Sequence, residues 1–412
     1  MELTTRIPKA LLPCALALLA GCTVMEIKKD SEEAKELTTV SGRVILEGSV
    51  TGTPQVQAHH VTGPTTFETV RNAATDEQGV YQINIWPGEY AFSAYIDENG
   101  NGKYDSSEPG TYFGMEERQP TRIAISKDKE APLPDLILSG PMKRPGGIEV
   151  VPALSLRVEN TGKVHSLDEE MFSRESANMG LWRPMKYEKE FGGGIMFLEP
   201  YDPDRIPVLF VHGIGGTARE FSDMIDNLDT TRFQAWVYQY ASGFNLSPNA
   251  DFMINALAAQ HSELGFEQLV LIAHSMGGLM SRGYIHKYTE HSPGYKIPLA
   301  MTINSPLMGM DSAAMGVKTS PLTVASWHDV ASGSEFVRTA HATPWPEDIP
   351  YHLVFSFLEG EEGDGTVPLS SQLTRPLQRE ATQIHGFKAG HALVLKDEEF
   401  IAVFNEILAE VD

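Results

Sequence analysis

Ser275 is the side chain in this 412-residue chain best placed to act as a nucleophile. It stands in Gln268-Leu-Val-Leu-Ile-Ala-His-Ser-Met-Gly-Gly-Leu-Met280, which reads as a short buried strand over residues 269–273, a sharp turn and the start of a helix. A serine on such a turn needs small residues two positions away on each side, because larger side chains would strike the crossing backbone. Ala273 and Gly277 meet that need. The turn aims the hydroxyl outward and leaves the N–H of Met276 facing a carbonyl under attack. Acyl transfer by serine also needs a base to take the hydroxyl proton and an acid to orient that base. In the order serine, acid, histidine, the acid is expected after the apolar run 351–358, where Glu359, Glu361, Glu362 and Asp364 stand. Gly363 and Gly365 bracket Asp364 in a tight loop that can hold one orientation, which favours it. Downstream of Asp364 the chain contains two histidines, His385 and His391.

These residues need a scaffold, and the chain from about residue 165 alternates apolar runs with helical patterns, as expected for an open, mostly parallel sheet. Strands are predicted at 195–198, 206–212, 234–240, 269–273, 299–303 and 351–358. Ser247 and Pro248 predict a helix N-cap and first turn, with the helix running to Leu264. Further helices are predicted after Ser275 and over 397–411. Residues 306–346 form a long insertion with Met308, Met310, Met315, Leu322, Trp327 and Trp345. Loops of that length are usually functional.

Four ordered segments now stand together: Pro207-Val-Leu-Phe-Val-His-Gly-Ile-Gly-Gly216, Ala273-His-Ser-Met-Gly-Gly278, Gly363-Asp-Gly-Thr-Val-Pro368 and Gly390-His-Ala-Leu393. In them the chain resembles the α/β-hydrolase family, in particular its lipase- and esterase-like members. The resemblance implies an α/β fold, a mostly parallel sheet flanked by helices, over residues 165–412. It implies a Ser275–His391–Asp364 triad, with His391 taking the family position that His385 does not. The oxyanion would be held by the backbone N–H groups of Ile214 and Met276. The expected substrate is a carboxylic ester or lipid with an apolar acyl group, cleaved through an acyl-enzyme with no cofactor. An acyltransferase would use the same three residues. The 306–346 insertion resembles a lid or acyl-pocket element, its methionines suited to an acyl chain. His212 and His274 each end a strand and are read as structural.

Residues 40–140 show period-two patterning, so an all-β domain precedes the α/β one. Tyr81, Ile83 and Ile85, then Tyr90, Phe92, Ala94 and Ile96, alternate with other residues around the turn Trp86-Pro-Gly-Glu89, predicting a hairpin with one buried face. Earlier strands are predicted at 42–47 and 56–60. With Gly42-Arg-Val, Thr75-Asp-Glu-Gln-Gly-Val-Tyr and Pro87-Gly-Glu-Tyr90, this stretch resembles the small carboxypeptidase-regulatory-like or transthyretin-like β-sandwich modules. After the hairpin comes Asp97-Glu-Asn-Gly-Asn-Gly-Lys-Tyr-Asp-Ser-Ser-Glu108. Oxygen-bearing side chains fall at loop positions 1, 3, 5, 9 and 12 with glycine at 6, the spacing that wraps one Ca²⁺. The ligands would be Asp97, Asn99, Asn101, Asp105 and Glu108 with the Lys103 carbonyl, making a structural calcium site. Residues 141–164, rich in Pro and Gly at their start, are expected to link the domains. The stretch 148–157 could close the first domain or open the second.

The start of the chain reads as an export signal over residues 1–21. Arg6 and Lys9 precede a short apolar run, 10–20, that falls below the roughly 20 residues needed to span a bilayer. Leu19-Ala20-Gly21-Cys22 resembles the lipobox of bacterial lipoproteins, which implies cleavage before Cys22 and lipid attachment there. That would place the protein in the bacterial cell envelope, on the outer membrane, with residues 22–39 as a polar tether. The other cysteine, Cys14, lies inside the signal, so the mature chain has no disulfide or thiol nucleophile. A net charge of −23 argues against nucleic acid as a partner. A non-catalytic envelope scaffold would share the anchor and the β domain, but has no need of the ordered serine, aspartate and histidine segments.

Overall fold

The computed structural model describes residues 25–411 apart from 31, 33–35, 37, 77, 99–103, 105–106, 116–118, 127–132, 134, 142–145, 147–148, 153–159, 292–293 and 321. The N-terminal region holds β1 (Thr38–Leu46), β2 (Pro54–Val61), β3 (Thr66–Ala74), β4 (Val80–Ile85), β5 (Gly88–Ile96), β6 (Gly110–Tyr112), β7 (Ile123–Ile125), β8 (Leu136–Leu138) and β9 (Glu149–Pro152). They make two sheets, ordered β4-β1-β8 and β6-β5-β2-β3-β9, with β7 beside β5. Val40, Tyr81 and Ile83 from the first sheet and Val56, Phe92 and Ala94 from the second share one apolar core.

Three expectations change here. β4 and β5 are not a hairpin: β4 pairs with β1, and β5 pairs with β2. Trp86 and Pro87 carry the chain from one sheet to the other. Alternating apolar residues on successive strands show only that both strands face a core, and facing sheets satisfy that as well as one sheet does. Secondly, β9 lies inside the expected linker but pairs in parallel with β3, so residues 149–152 belong to the first region. Thirdly, part of the expected tether is helical over 25–30. Its Asp30 carboxylate accepts from the N–H groups of Met185 and Lys186, so this part of the segment rests on the second region.

The second region is built on β10 (Gly194–Phe197), β11 (Ile206–Val211), β12 (Phe233–Gln239), β13 (Val270–His274), β14 (Ala300–Ile303), β15 (Tyr351–Ser356) and β16 (Gln383–Phe387). Their spatial order is β10-β12-β11-β13-β14-β15-β16, with β10 antiparallel at one edge and the rest parallel. The central strands are apolar on both sides because both sides are covered. Along β11, Leu209 and Val211 enter one core while Val208 and Phe210 enter the other. The helices used below are α1 (Arg174–Trp182), α2 (Pro184–Glu190), α3 (Leu246–Leu264), α4 (Met276–His291), α5 (Asp311–Thr319), α6 (Ala325–Val330), α7 (Glu335–Ala340) and α8 (Glu398–Ala409). α3 and α4 cover the first core with Met253, Leu257, Leu279 and Tyr284, and α8 covers the second with Phe400, Phe404 and Ile407. Each such side chain, fully buried, contributes on the order of 1.5–3 kcal/mol relative to exposure.

Local chemistry sets the helix ends. Asp397 caps α8 by accepting from the Phe400 N–H. α3 begins at Leu246 with no side-chain cap of its own, so Ser247 is not the cap. Asp329, at the end of α6, accepts from the Leu246 N–H at 2.6 Å and from Asn245 Nδ2 at 3.1 Å instead. β16 escaped the sequence reading because Gln383, Ile384 and Gly386 are exposed at the sheet edge, leaving no apolar run. The loops after β11, β13, β15 and β16 all leave the carboxyl ends of parallel strands, where open α/β sheets bind ligands.

Candidate active site

β13 is the middle strand of the seven, and the chain leaves it through Ser275 at φ 54°. That left-handed backbone costs a side-chain-bearing residue on the order of 1–3 kcal/mol, so the surroundings must hold it. They do so through the Ser275 N–H, donated to Ile303 O at 2.8 Å, and the Ser275 carbonyl, which accepts from the Gly278 N–H at 2.9 Å. Gly277 passes directly over β11: a methyl group on it would stand 2.5 Å from the carbonyl oxygens of both Val211 and His212. Ala273 is fully buried and fits where a smaller glycine would also fit.

The Ser275 hydroxyl lies 2.8 Å from His391 Nε2, and His391 Nδ1 lies 2.7 Å from Asp364 Oδ2. Asp364 is buried and fully used. Its Oδ1 accepts from the N–H groups of Thr366 (2.8 Å) and Val367 (2.7 Å), and Oδ2 also accepts from Gln372 Nε2 at 3.2 Å. An oxygen pair already accepting from three donors is a carboxylate, so Nδ1 of His391 carries a proton and Nε2 presents its lone pair to the Ser275 hydroxyl. The loops bearing the two residues are joined by the His391 N–H to Asp364 O bond of 3.0 Å. The three glutamates weighed with Asp364 are exposed, and Glu359 pairs with Lys388 at 2.7 Å. His385 is on β16, its ring stacked on His352 with a 3.2 Å Nε2···Nδ1 contact, away from Ser275.

The loop after β11 has four consecutive N–H groups, and three are occupied. Gly213 N–H donates to Glu220 Oε1, Gly215 N–H to Ser242 Oγ and Gly216 N–H to Gly213 O. The Ile214 N–H has no acceptor among the described residues, nor does that of Met276 at the first turn of α4. Two free donors flanking a serine are what an oxyanion needs.

His212 and His274 bond locally. His212 Nδ1 donates to Gly213 O at 2.9 Å, its Nε2 accepts from the Tyr240 N–H, and the ring stacks on Tyr240. Burial holds His212 below the usual histidine range, so it is neutral. His274 Nδ1 lies 2.9 Å from Glu220 Oε1, and Nε2 lies 3.1 Å from the His391 carbonyl. Asn304 Nδ2 reaches that same carbonyl at 2.9 Å. Glu220 and Asn304 carried no motif that would have marked them.

The 306–346 insertion contains α5, α6 and α7. Met308 and Met310 pack against the first core, while α5 buries no residue and Met315 is 66% exposed. Trp327 of this insertion meets Trp182 of α1 edge-on at 5.7 Å. Of the expected calcium ligands, Asn99, Asn101, Lys103 and Asp105 lie outside the described residues, as does Cys22. Glu108 is described and buried, and its Oε1 accepts from the Glu98 N–H at 3.0 Å. Among the described residues no group of three or more His, Cys, Asp or Glu is arranged to hold a metal ion, and no helix is long and apolar enough to cross a membrane.

A family profile for the α/β-hydrolase fold matches residues 206–329, from β11 through the Ser275 turn into α6. The second region has the α/β-hydrolase fold. Solved structures similar to the chain include a Bacillus licheniformis lipase, BlEst2, in its mature form, 18% identical with a TM-score of 0.42, covering 51% of this chain and 94% of that one. A gene product of Listeria innocua, lin2722, is 18% identical with a TM-score of 0.41, covering 51% and 96%. A monoacylglycerol lipase of Paleococcus ferrophilus is 18% identical with a TM-score of 0.35, covering 50% and 94%. No curated relative matches the chain significantly. In the hydrolase fold a serine on this strand-to-helix turn stands at the top of the sheet with its hydroxyl exposed to incoming substrate.

Proposed function

We propose that the protein is a serine hydrolase that cleaves carboxylic esters with an apolar acyl group through an acyl-enzyme. The observation that carries this reading is the unbroken hydrogen-bond chain from Ser275 Oγ through His391 to Asp364, at 2.8 and 2.7 Å. The Ser275 oxygen attacks the ester carbonyl while its proton passes to His391 Nε2. Asp364 holds the ring and stabilises the imidazolium. The tetrahedral oxyanion is held by the Ile214 and Met276 N–H groups. Collapse expels the alcohol, which takes the proton from His391, and leaves Ser275 acylated. Water then attacks the acyl-enzyme, gives its proton to His391, and the acid departs as Ser275 regains its hydrogen. No cofactor enters these steps.

Nitrophenyl acyl esters from short to long, run beside Ser275→Ala, test this reading. Serine-dependent turnover supports it, and an active Ser275→Ala protein refutes it. We further propose that a lipid anchor at Cys22 holds the enzyme in the bacterial envelope, most simply on the outer membrane, as the resemblance of its first residues to a lipobox supports. Palmitate labelling that survives Cys22→Ala would sink that proposal. The 97–108 loop is proposed as a structural Ca²⁺ site, to be abandoned if chelator leaves the melting temperature unchanged.

A further inference from the structure

We propose that Glu220 and His274 form a second carboxylate–imidazole pair, one that does no chemistry but positions both halves of the site at once. The proposal rests on the serine-hydrolase reading and extends it to two residues that touch no reacting atom. Glu220 Oε1 accepts both the Gly213 N–H (3.2 Å) and His274 Nδ1 (2.9 Å). The other ring nitrogen, Nε2, reaches the backbone carbonyl of His391 at 3.1 Å. One end of the link is therefore the residue before Ile214, whose N–H is the candidate oxyanion donor. The other end is the main chain of the candidate base.

The protonation state follows from the partners. A backbone carbonyl can only accept, and a carboxylate oxygen already receiving a backbone N–H does the same. His274 meets an acceptor at each nitrogen, so both nitrogens carry protons and the ring is an imidazolium paired with Glu220. Burial opposes charge on both groups, but their mutual attraction outweighs it: His274 is held above the usual histidine range and Glu220 below the usual carboxylate range. The groups facing the pair are His212 at the end of β11, Asp364 in the loop after β15, and His391. The His274 ring lies 4.9 Å from the His391 ring, centroid to centroid. A full charge on His274 without Glu220 beside it would repel the imidazolium that forms on His391 during turnover. The Glu220 carboxylate cancels that repulsion, so the link can be rigid without opposing catalysis. Gly216 lies over the same carboxylate, where a methyl group would stand 2.5 Å from Glu220 Oε2, so the loop closes onto the pair.

Two measurements decide this. With ¹⁵N-histidine-labelled protein, one ring other than those of the neutral histidines keeps both nitrogens protonated at pH 7.5. That signal disappears in Glu220→Gln and in His274→Gln. In kinetics on nitrophenyl esters, per active site counted by fluorophosphonate titration, Glu220→Gln lowers kcat about 10- to 100-fold, the range expected when a reacting group is displaced by up to an ångström. KM stays within about twofold, because the loss falls on the transition state. An unchanged kcat in Glu220→Gln, or a singly protonated His274 in the wild-type protein, overturns the proposal. Should Ser275→Ala still turn over ester, the reading of the site fails instead, and the NMR result on the intact protein judges the pair by itself.

Discussion

Gly213 lies directly against Ser275: a methyl group on Gly213 would stand 2.7 Å from Ser275 Cβ and 3.2 Å from its hydroxyl oxygen. Neither partner can retreat easily. Ser275 is held in its left-handed conformation by the Ile303 carbonyl, and the Gly213 N–H is tied to Glu220. Gly213→Ala is therefore expected to displace the serine or the Ile214 N–H. Ester turnover should fall by about 100-fold or more, and overpacking should cost about 1–3 kcal/mol in urea denaturation. A Gly213→Ala enzyme with full activity would show that the contact relaxes freely.

Asp364→Asn should test the tautomer. Oδ1 of Asp364 receives two backbone N–H groups, so the asparagine oxygen takes that place and its NH₂ turns toward His391 Nδ1. The ring would answer by accepting at Nδ1 and carrying its proton on Nε2, where it can no longer take one from Ser275. Loss of kcat on the order of 10⁴-fold is expected, as for the same change in a serine protease triad, with the fold retained by circular dichroism.

Of the two histidines that follow Asp364, His385 is the one expected to lie outside the chemistry. Its ring pairs with His352 on the neighbouring strand. His385→Gln should leave ester turnover within about twofold, whereas His391→Ala should remove several powers of ten, roughly 10⁴ to 10⁶. Equal losses from both would contradict the geometry around Ser275.

What could be read from the sequence was whatever a short stretch dictates by itself. A tight turn fixes the size of its neighbours, so Ser275 with Ala273 and Gly277 stood out. A glycine-bracketed loop marked Asp364 among four carboxylates, and the apolar runs marked six of the seven strands of the α/β sheet. Pairing was less legible. β4 and β5 look like a hairpin but join opposite sheets, because alternation reports a buried face and not a partner. Glu220 was invisible, since its contact with His274 joins residues 54 apart in the chain and leaves no local pattern. The cap of α3 lies beyond any local pattern for the same reason: Ser247 is local, but Asp329, more than 80 residues away, supplies the acceptor.

That distant cap gives a stability prediction. Asp329 is half-buried, and desolvation pushes its carboxyl above the usual range while the Leu246 N–H and Asn245 amide oppose that rise. Asp329→Ala leaves both donors without an acceptor. A cost of about 0.5–2 kcal/mol is expected, the range for losing a helix N-cap acceptor, read as a lower urea midpoint. Because the aspartate also ties α6 of the insertion to α3, exchange of the amides at the start of α3 and around α6 should rise together. Faster exchange confined to α3 would mean that the tie to the insertion carries little.

The His352–His385 pair predicts how stability responds to acid. Only one proton fits between Nδ1 of His352 and Nε2 of His385 at 3.2 Å, and two cationic rings stacked at 5.4 Å would repel. Burial, then the neighbouring histidine, pushes His352 down to about 4 from 6.5. The folded protein therefore binds fewer protons than the unfolded chain between those values. Where the unfolded state binds more protons, stability rises with pH. The contribution is fully present above pH 6.5 and is lost as pH falls through that window toward about 4. His341, also pushed down to about 4 by burial, and His59, to about 3, act in the same direction. His352→Gln removes one share without adding charge. Its urea midpoint should fall less steeply than that of the wild-type protein between pH 6.5 and 4, while the two curves run parallel above pH 7. Parallel curves throughout would mean that His352 takes up its proton without disturbing the folded pair.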